Sequence, residues 1–441
     1  MIEIIFILLS YVTFLFLGLI PLNINSESVS YAKINLDKII YNLTINLSLL
    51  FILSLLPINI KYYTPIFIIT YLLLFFYKSI LINFSFKKII NIFVFFYIPG
   101  IVFICFALVI ANKLYLGWDA KYFYYIKSLF FFNGFSLADL NNFSENKWHP
   151  HLGSFYWAFF WNLFPLKIEY FGRLFYLFIY CISIFYITNK IFNKNSISNI
   201  LYIIISLALF NYERFSGLQE ILIFSLLIIL SYFFFNPFSN NKIYILFTIL
   251  ISNLILWIKS EGIVYFLIIL TCILISRSIS KKLKIITLMF FICAIVLKYI
   301  IYYKYNFIYN AQPYNFNYIY SLNFETVINK LKYIIPYLIY YSLKNYIFFL
   351  GIIILIYLNL YKNHEKYLRS FNTFAILNIF FIIFAYLIRE TEVLYSIKTT
   401  MDRVVFASSG FYLVLILITT KQIITKFING TYIKLFNKYY R

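Results

Sequence analysis

The residue with the clearest potential for chemistry is Asp119, which follows Trp118 directly after a long apolar run. Partial burial of a carboxylate at the rim of a membrane, among aromatic residues, makes it a better proton acceptor, as a general base requires. An aspartate ahead of the helix-like run 121–132 is also an ordinary N-cap, and the sequence leaves the two interpretations equally open. Asp119 is therefore the candidate catalytic residue, and Trp118 is a candidate for contact with substrate.

Two histidines, His149 and His151, lie further along the chain on either side of Pro150. Histidines two residues apart can suggest a metal, but no third ligand at metal-like spacing is nearby. We therefore predict no metal site and histidines that face substrate. The alternative is an extended, proline-containing turn that places both rings at the membrane interface.

The segment 152–164 is apolar but too short to cross a bilayer. It contains Trp157 and Trp161, and tryptophan is enriched where membrane meets water. We predict a helix that lies flat at the interface, with Trp157 among the aromatic residues that contact substrate.

Further charged residues lie near the ends of apolar runs, and six of them are candidates for binding substrate: Arg173, Arg214, Glu220, Lys259, Glu261 and Arg403. An ionisable residue inside a span costs about 2.5 to 3.5 kcal/mol on insertion scales, so Glu220 requires a partner, for which Arg214 or Lys259 would serve. Arg173 and Arg403 fit either a side chain that reaches the lipid head groups or one that binds phosphate. Lys259 and Glu261 fit a solvated turn equally well.

The composition is that of a membrane protein. The chain has 441 residues, of which 63% are hydrophobic and 12% charged, and a soluble core could not hide so much apolar surface. The net charge of +22 comes from 37 basic and 15 acidic residues. In such a chain this excess indicates membrane topology and contact with anionic lipids, and we expect no nucleic-acid partner.

Apolar runs of sufficient length predict an all-α polytopic protein with about thirteen transmembrane helices. The predicted spans are 3–21, 43–60, 64–83, 90–111, 168–188, 197–211, 218–236, 242–258, 262–276, 284–303, 346–361, 371–388 and 404–420. Lysine and arginine crowd several connections and the C-terminal tail, which the positive-inside rule places in the cytoplasm.

The candidate residues then share the opposite, outer face of the membrane. The loops predicted on this face are 112–167, 304–345 and 389–403. Within the second loop, a helix-like stretch from Phe324, interrupted by Pro336, is expected to lie on the membrane surface.

The order of several short motifs resembles the GT-C superfamily of membrane glycosyltransferases, which includes the protein O-mannosyltransferases and the lipid A aminoarabinose transferases. The motifs are Trp118-Asp119-Ala120, His149-Pro150-His151-Leu152 with Tyr156-Trp157, and Tyr170-Phe171-Gly172-Arg173-Leu174. The later matches are Gly217-Leu218-Gln219-Glu220, Lys259-Ser260-Glu261-Gly262 and Asp402-Arg403. The resemblance covers roughly residues 90–276 and the stretch near 400.

The resemblance implies an inverting transferase of the bacterial plasma membrane with its site on the outer face. The donor would be a polyprenyl-phosphate sugar, the acceptor an envelope glycan, lipid or protein, and no cofactor would be needed. Asp119 would act as general base, and Arg403, with Lys259 or Arg214, would neutralise the leaving phosphate.

This interpretation divides the chain into four parts. Residues 1–89 would form additional N-terminal transmembrane helices, and 90–303 the GT-C-like catalytic core with its outer loop. Residues 304–345 would form a second outer segment, and 346–441 the C-terminal helices and basic tail.

Two alternatives remain open. An O-antigen-type polymerase or ligase would place its essential loop at 304–345. A flippase or transporter for lipid-linked glycans would carry ionisable residues in the middle of the membrane.

Overall fold

A computed structural model describes residues 2–20, 35–81, 86–142, 147–164, 166–193, 196–236, 242–307, 323–361, 365–389 and 392–439. The chain is helical over these residues, which confirms the predicted all-α class. Residues 308–322, in the middle of the predicted second outer segment, lie outside the described residues.

The first half of the chain forms ten α-helices and three short helices of other types. The α-helices are α1 (Ile2–Leu19), α2 (Leu36–Leu55), α3 (Ile60–Leu81), α4 (Phe86–Phe95), α5 (Tyr97–Lys113), α6 (Ile126–Phe132), α7 (Leu152–Leu163), α8 (Tyr170–Phe192), α9 (Ser196–Leu209) and α10 (Glu220–Phe235). A π-helical turn, Ala120–Tyr125, leads into α6, and the 3-10 helices are Ala138–Asn142 and Tyr212–Phe215.

The second half continues the helical bundle. Its helices are α11 (Lys242–Ile258), α12 (Gly262–Ile275), α13 (Lys281–Lys304), α14 (Phe324–Lys344), α15 (Tyr346–Tyr361), α16 (Leu368–Leu387), α17 (Val393–Ser409) and α18 (Leu413–Tyr439). A 3-10 turn, Gly410–Tyr412, joins the last two.

Several long apolar helices indicate a multi-pass membrane protein, but the prediction of about thirteen spans is wrong. Within the described ranges, five helical stretches are long and apolar enough to cross a membrane: α2, α8, α13, α16 and Val393–Lys426. The bent pair α14 and α15 adds a sixth if it counts as one span. The remaining apolar runs form shorter helices; α9 and α12, for example, have 14 residues each. At about 1.5 Å per residue, such a helix covers roughly 21 Å of a hydrocarbon core about 30 Å thick.

Pro336 does not interrupt α14, which differs from the prediction. The helix runs through it to Lys344, and the chain bends by 98° between α14 and α15. Asn345 lies at this bend, where its side-chain oxygen accepts a hydrogen bond from the backbone N–H of Phe348 at 3.2 Å. The bend therefore falls at a residue that caps the next helix. Pro336 removes one backbone hydrogen bond from α14 but does not end the helix.

Helix α7 is buried inside the bundle rather than exposed at a membrane interface. Every residue from 152 to 161 is buried, and Trp157 has no exposed surface. The sequence Phe155-Tyr156-Trp157 and Phe159-Phe160-Trp161 leaves this helix without a polar face, and such a helix is stable only when it is surrounded.

The N-terminal helices belong to the same bundle. Asn46 of α2 donates to the carbonyl oxygens of Leu17 at 2.6 Å and Ile20 at 2.9 Å, at the end of α1. The Tyr156 hydroxyl of α7 donates to the Leu47 carbonyl at 2.8 Å. Because buried polar groups need such partners, these bonds fix α1 to α2 and α2 to α7.

Candidate functional site

Asp119 does not cap the helix that follows it. Its backbone already has helical dihedral angles, and its side chain makes no capping hydrogen bond. Its carboxylate instead accepts a hydrogen bond from Arg403 of α17. The segment is held in place where the Gly117 N–H donates to the Ser216 carbonyl at 3.1 Å.

Arg403 is part of a continuous ion cluster that joins five side chains from four regions of the chain. Beyond Asp119, Arg403 lies 3.5 Å from Oε1 of Glu220, at the first residue of α10. The same oxygen lies 2.9 Å from the Lys259 ammonium, which is 3.1 Å from Glu261. We call Asp119, Arg403, Glu220, Lys259 and Glu261 the ion cluster; its three carboxylates and two cations give it a formal charge of −1.

The cluster is largely buried and not fully satisfied. The side chain of Glu220 is 4% exposed, whereas those of Asp119 and Arg403 are about 21% and 20% exposed. Glu220 Oε2, Glu261 Oε2 and Arg403 Nε have no hydrogen-bond partner within the described part of the chain. Buried polar atoms are rarely left unpaired in native proteins, so two free acceptors and a free donor here indicate a place for a polar ligand or water.

The turn between α11 and α12 supplies Lys259 and Glu261. Burial alone would lower the pKa of the Lys259 ammonium, but the carboxylates of Glu220 and Glu261 raise it well above its usual value. Lys259 therefore stays charged in the protein. Of the two partners predicted for Glu220, the structure shows Lys259. The alternative of a solvated turn is wrong, because Lys259 is only 8% exposed.

His149 lies at the edge of the cluster. Its Nδ1 is 3.5 Å from the Ser260 hydroxyl, in the turn that carries Lys259, and its ring stacks on Trp148 at 3.7 Å. Its backbone carbonyl accepts a hydrogen bond of 2.5 Å from the buried Lys127 ammonium. Burial lowers the pKa of Lys127 to about 7, so this side chain exchanges protons near neutral pH.

His151 is placed away from the cluster. Its Nε2 shares a hydrogen bond of 2.9 Å with the Ser54 hydroxyl at the end of α2, and its ring is 3% exposed. Burial, with smaller contributions from Lys127 and Lys298, lowers the pKa of His151 to about 3. The ring is therefore neutral and links α2 to the start of α7.

This neutral histidine makes the fold sensitive to acid. The unfolded chain binds a proton near pH 6.5, whereas folded His151 does so only near pH 3, so its contribution to stability is complete above pH 6.5 and is lost as the pH falls. We expect the melting temperature of the solubilised protein to fall between pH 6.5 and pH 4.5, with about 1 to 3 kcal/mol of stability lost to this residue. In His151→Gln the fall should be shallower; parallel curves for the two proteins would contradict the assignment.

Two cavities border the ion cluster. The first, of about 340 Å³, is mostly apolar and lies between the Trp148–Pro150 loop and helices α12, α13 and α16, with Glu261, Lys298 and Tyr302 in its wall. The second, which we call the charged cavity, has a volume of about 110 Å³; charged side chains, including Arg403, Glu220, Arg214 and Asp402, line it together with apolar ones, including Leu218, Ile221 and Phe406. The cluster therefore borders an apolar space at Glu261 and a smaller, charged space at Glu220 and Arg403.

Arg214, one of the predicted binding residues, lies beside the cluster rather than in it. Its guanidinium sits 3.8 Å above the ring of Phe406 and donates to the Leu209 carbonyl at 3.3 Å. Trp118, next to Asp119 in the chain, is 66% exposed, and its ring packs on Tyr122 and Phe123.

Arg173 and Trp157 have structural partners instead. Arg173 is 1% exposed and forms a two-bond pair with Glu169 at 2.7 and 2.9 Å, while it also donates to the carbonyls of Tyr115 and Phe215. Trp157 packs against Gly217, whose φ of +91° and lack of a side chain allow this close approach. The two residues hold α8 against the chain around Asp119 and do not face either cavity.

Sequence reasoning missed Lys298 and Tyr124. Lys298 projects from α13 into the apolar cavity, where its ammonium donates to the Leu256 carbonyl at 2.7 Å and lies 5.5 Å from the rings of Trp257 and Tyr302. The sequence could have identified Lys298, because it lies inside the predicted span 284–303 and ionisable residues in spans usually have a function. Tyr124, which is 1% exposed beside the cluster, carries no such signal.

Taken together, the fold and the site define a multi-pass helical membrane protein with a buried charged centre at one end of its bundle. The described residues contain no group of three or more histidine, cysteine, aspartate or glutamate side chains placed to hold a metal ion. The chain matches no protein-family model, no curated protein and no solved structure.

Proposed function

We propose that the protein is a membrane glycosyltransferase that moves a sugar from a polyprenyl phosphate to an envelope glycan, lipid or protein. The observation that carries the proposal is the ion cluster, in which Arg403 pairs with both Asp119 and Glu220. Glu261 of this cluster borders the apolar cavity, and Glu220 and Arg403 border the charged one. A lipid-linked sugar needs this combination, because its chain is apolar and its reacting end is charged.

In the proposed reaction, Asp119 takes the proton of the acceptor hydroxyl. The acceptor oxygen attacks the anomeric carbon as the bond from that carbon to the phosphate oxygen breaks, with inversion. The electron pair of the broken bond stays on the phosphate, which leaves as polyprenyl phosphate. Arg403 is the cation beside Asp119 and would stabilise the charge that develops on the leaving group.

The pairing of Asp119 with Arg403 suggests how the donor prepares the site. While Arg403 donates to Asp119, one of the two oxygens of that carboxylate is engaged. A phosphate that binds Arg403 would compete for this N–H group and free that oxygen as well. Donor binding would therefore favour proton transfer to Asp119.

The apolar cavity offers a site for the beginning of the polyprenyl chain. Its volume of about 340 Å³ is within the range of small-molecule pockets, and its wall includes Phe381, Phe384 and Ile388 from α16 and the residues that follow it. The charged cavity, with its acidic and basic side chains and Asn211, offers hydrogen-bond donors and acceptors for sugar hydroxyls.

Transfer by the purified full-length protein tests the proposal. We expect label to pass from a radiolabelled polyprenyl-phosphate hexose or pentose to an acceptor fraction extracted from envelopes, with polyprenyl phosphate released in equal amount. Thin-layer chromatography of both products gives the measurement. Absence of transfer from every donor tested, by protein that remains folded and monodisperse, would contradict the proposal.

A transporter of lipid-linked glycans is the second candidate, and Lys298 favours it. This ionisable residue lies within the spanning helix α13 and faces a cavity, as expected of a residue on a substrate pathway. The same assay separates the two functions, since a transporter moves the intact lipid across a vesicle and leaves the bond between sugar and phosphate unbroken.

A further inference from the structure

A second charged cavity lies at the other end of the bundle from the ion cluster. It has a volume of about 680 Å³ and is bounded by the ends of α8 and α10 and by α15 and α18. Glu220 and Tyr232, at the two ends of α10, are separated by about 18 Å of helix at 1.5 Å per residue. Arg403 and Lys421 are likewise separated by about 27 Å. The cavity therefore faces the membrane surface opposite to Asp119.

Three lysines, Lys190, Lys421 and Lys426, line this cavity, and none of the described residues in its lining is acidic. The ammonium of Lys190 lies 2.6 Å from the carboxylate of Asp37, which neutralises its charge. Lys421 donates one hydrogen bond of 2.6 Å to the Ile191 carbonyl, which satisfies the end of α8. An ammonium has three donors, so this contact leaves Lys421 free to bind an anion as well.

Lys426 is exposed and has no ion-pair partner among the residues that the structure describes. A lysine beside the C-terminal end of a helix is ordinarily explained by the helix dipole. That explanation suffices for Lys190, in the last turn of α8, and for Lys421, which donates to the end of α8 from within α18. It does not explain Lys426, which projects from a continuing helix into the same cavity.

The rest of the cavity wall combines aromatic and aliphatic residues with the polar residues Asn236, Gln422 and Thr425. Tyr232, Phe235, Tyr357 and Ile418 lie beside the lysines, and Tyr357 is 48% exposed. Tyrosine is favoured where lipid head groups meet acyl chains, and lysine attracts anionic lipid phosphate. Cationic and apolar surfaces within one cavity match a molecule that has a phosphate next to an acyl chain.

We infer that this cavity binds an anionic glycerophospholipid, with the phosphate between Lys421 and Lys426 and the acyl chains along α15 and α18. The inference does not depend on the proposed transferase activity, because the cavity lies at the opposite end of the bundle. The excess of basic residues predicts a general attraction of the chain to anionic lipids, whereas this cavity would be one defined site for such a lipid.

Native mass spectrometry of the full-length protein in detergent, titrated with phosphatidylglycerol or phosphatidylcholine, tests the inference. Binding of phosphatidylglycerol should be roughly 30-fold weaker in Lys421→Gln/Lys426→Gln, from about fivefold for each lysine. Lys426→Gln alone, which keeps the Lys421 contact with α8, should show about a fivefold loss.

The matched control is Lys281→Gln/Lys282→Gln, which removes the same charge from two exposed lysines at the start of α13. This variant should bind phosphatidylglycerol as the unmodified protein does. An equal loss in both double variants would show attraction to the membrane surface as a whole and overturn the site. Equal binding of the two lipids, or equally strong competition by soluble glycerol phosphate, would also overturn it.

Discussion

Replacing Asp119 by asparagine is expected to lower sugar transfer by about 100- to 10,000-fold, the usual contribution of a general base. Asparagine has the same size and can still accept the hydrogen bond from Arg403, but it cannot take a proton from the acceptor. The bundle should therefore form normally. Initial transfer rates of the purified variant, together with its abundance in membranes and its melting temperature, give the measurement.

Asp139→Asn is the matched control for this variant. Asp139 lies in the same connection between α5 and α8, but its carboxylate accepts local hydrogen bonds from the backbone N–H and the hydroxyl of Ser136, both at 2.7 Å. Asparagine can accept the same bonds, so transfer should be unchanged. Normal transfer by Asp119→Asn would reduce Asp119 to an ion-pair partner of Arg403 and move attention to segment 304–345, as a polymerase or ligase would require.

The sequence was sufficient to predict the helical class and to name Lys259 as one of two possible partners of Glu220, the other being Arg214. The pairing follows from energetics, because a buried carboxylate at the start of an apolar helix needs a cation, and few cations were available on the same face. The partner of Asp119 could not be predicted in this way. Arg403 lies 284 residues away in the chain, and only the packing of α17 against α10 brings the two together.

The number of spans could not be obtained from apolar runs for a related reason. Hydrophobicity measures how much a segment avoids water, and it does not distinguish lipid from a protein interior as the surroundings. In α8, every residue of the apolar 18-residue stretch that could cross the membrane is buried in the bundle. In α13, only 17% of the corresponding stretch is buried. In a chain with 63% hydrophobic residues, helices too short to span the membrane resemble those that cross it.

Lys259→Met is expected to cost about 3 to 5 kcal/mol of stability, the usual result of removing one partner from a buried ion pair. Glu220, whose side chain is 4% exposed, would keep only the longer 3.5 Å contact with Arg403, and Glu261 would lose its cation. Thermal unfolding of the detergent-solubilised protein gives the measurement. Lys344→Met is the control, because Lys344 is 57% exposed and 3.9 Å from Asp402, and such surface pairs contribute about 0 to 1 kcal/mol.

The double variant Lys259→Met/Glu220→Gln separates charge from packing in this result. It returns the cluster to its formal charge of −1, since one cation and one carboxylate are removed together. If the cost of Lys259→Met comes from an uncompensated buried charge, the double variant should regain most of the lost stability. If it unfolds as early as Lys259→Met alone, the lysine stabilises the turn between α11 and α12 through packing. In that case, the packing of the surrounding helices would hold the ion cluster in place, and the ion pairs would contribute little to the stability of the bundle.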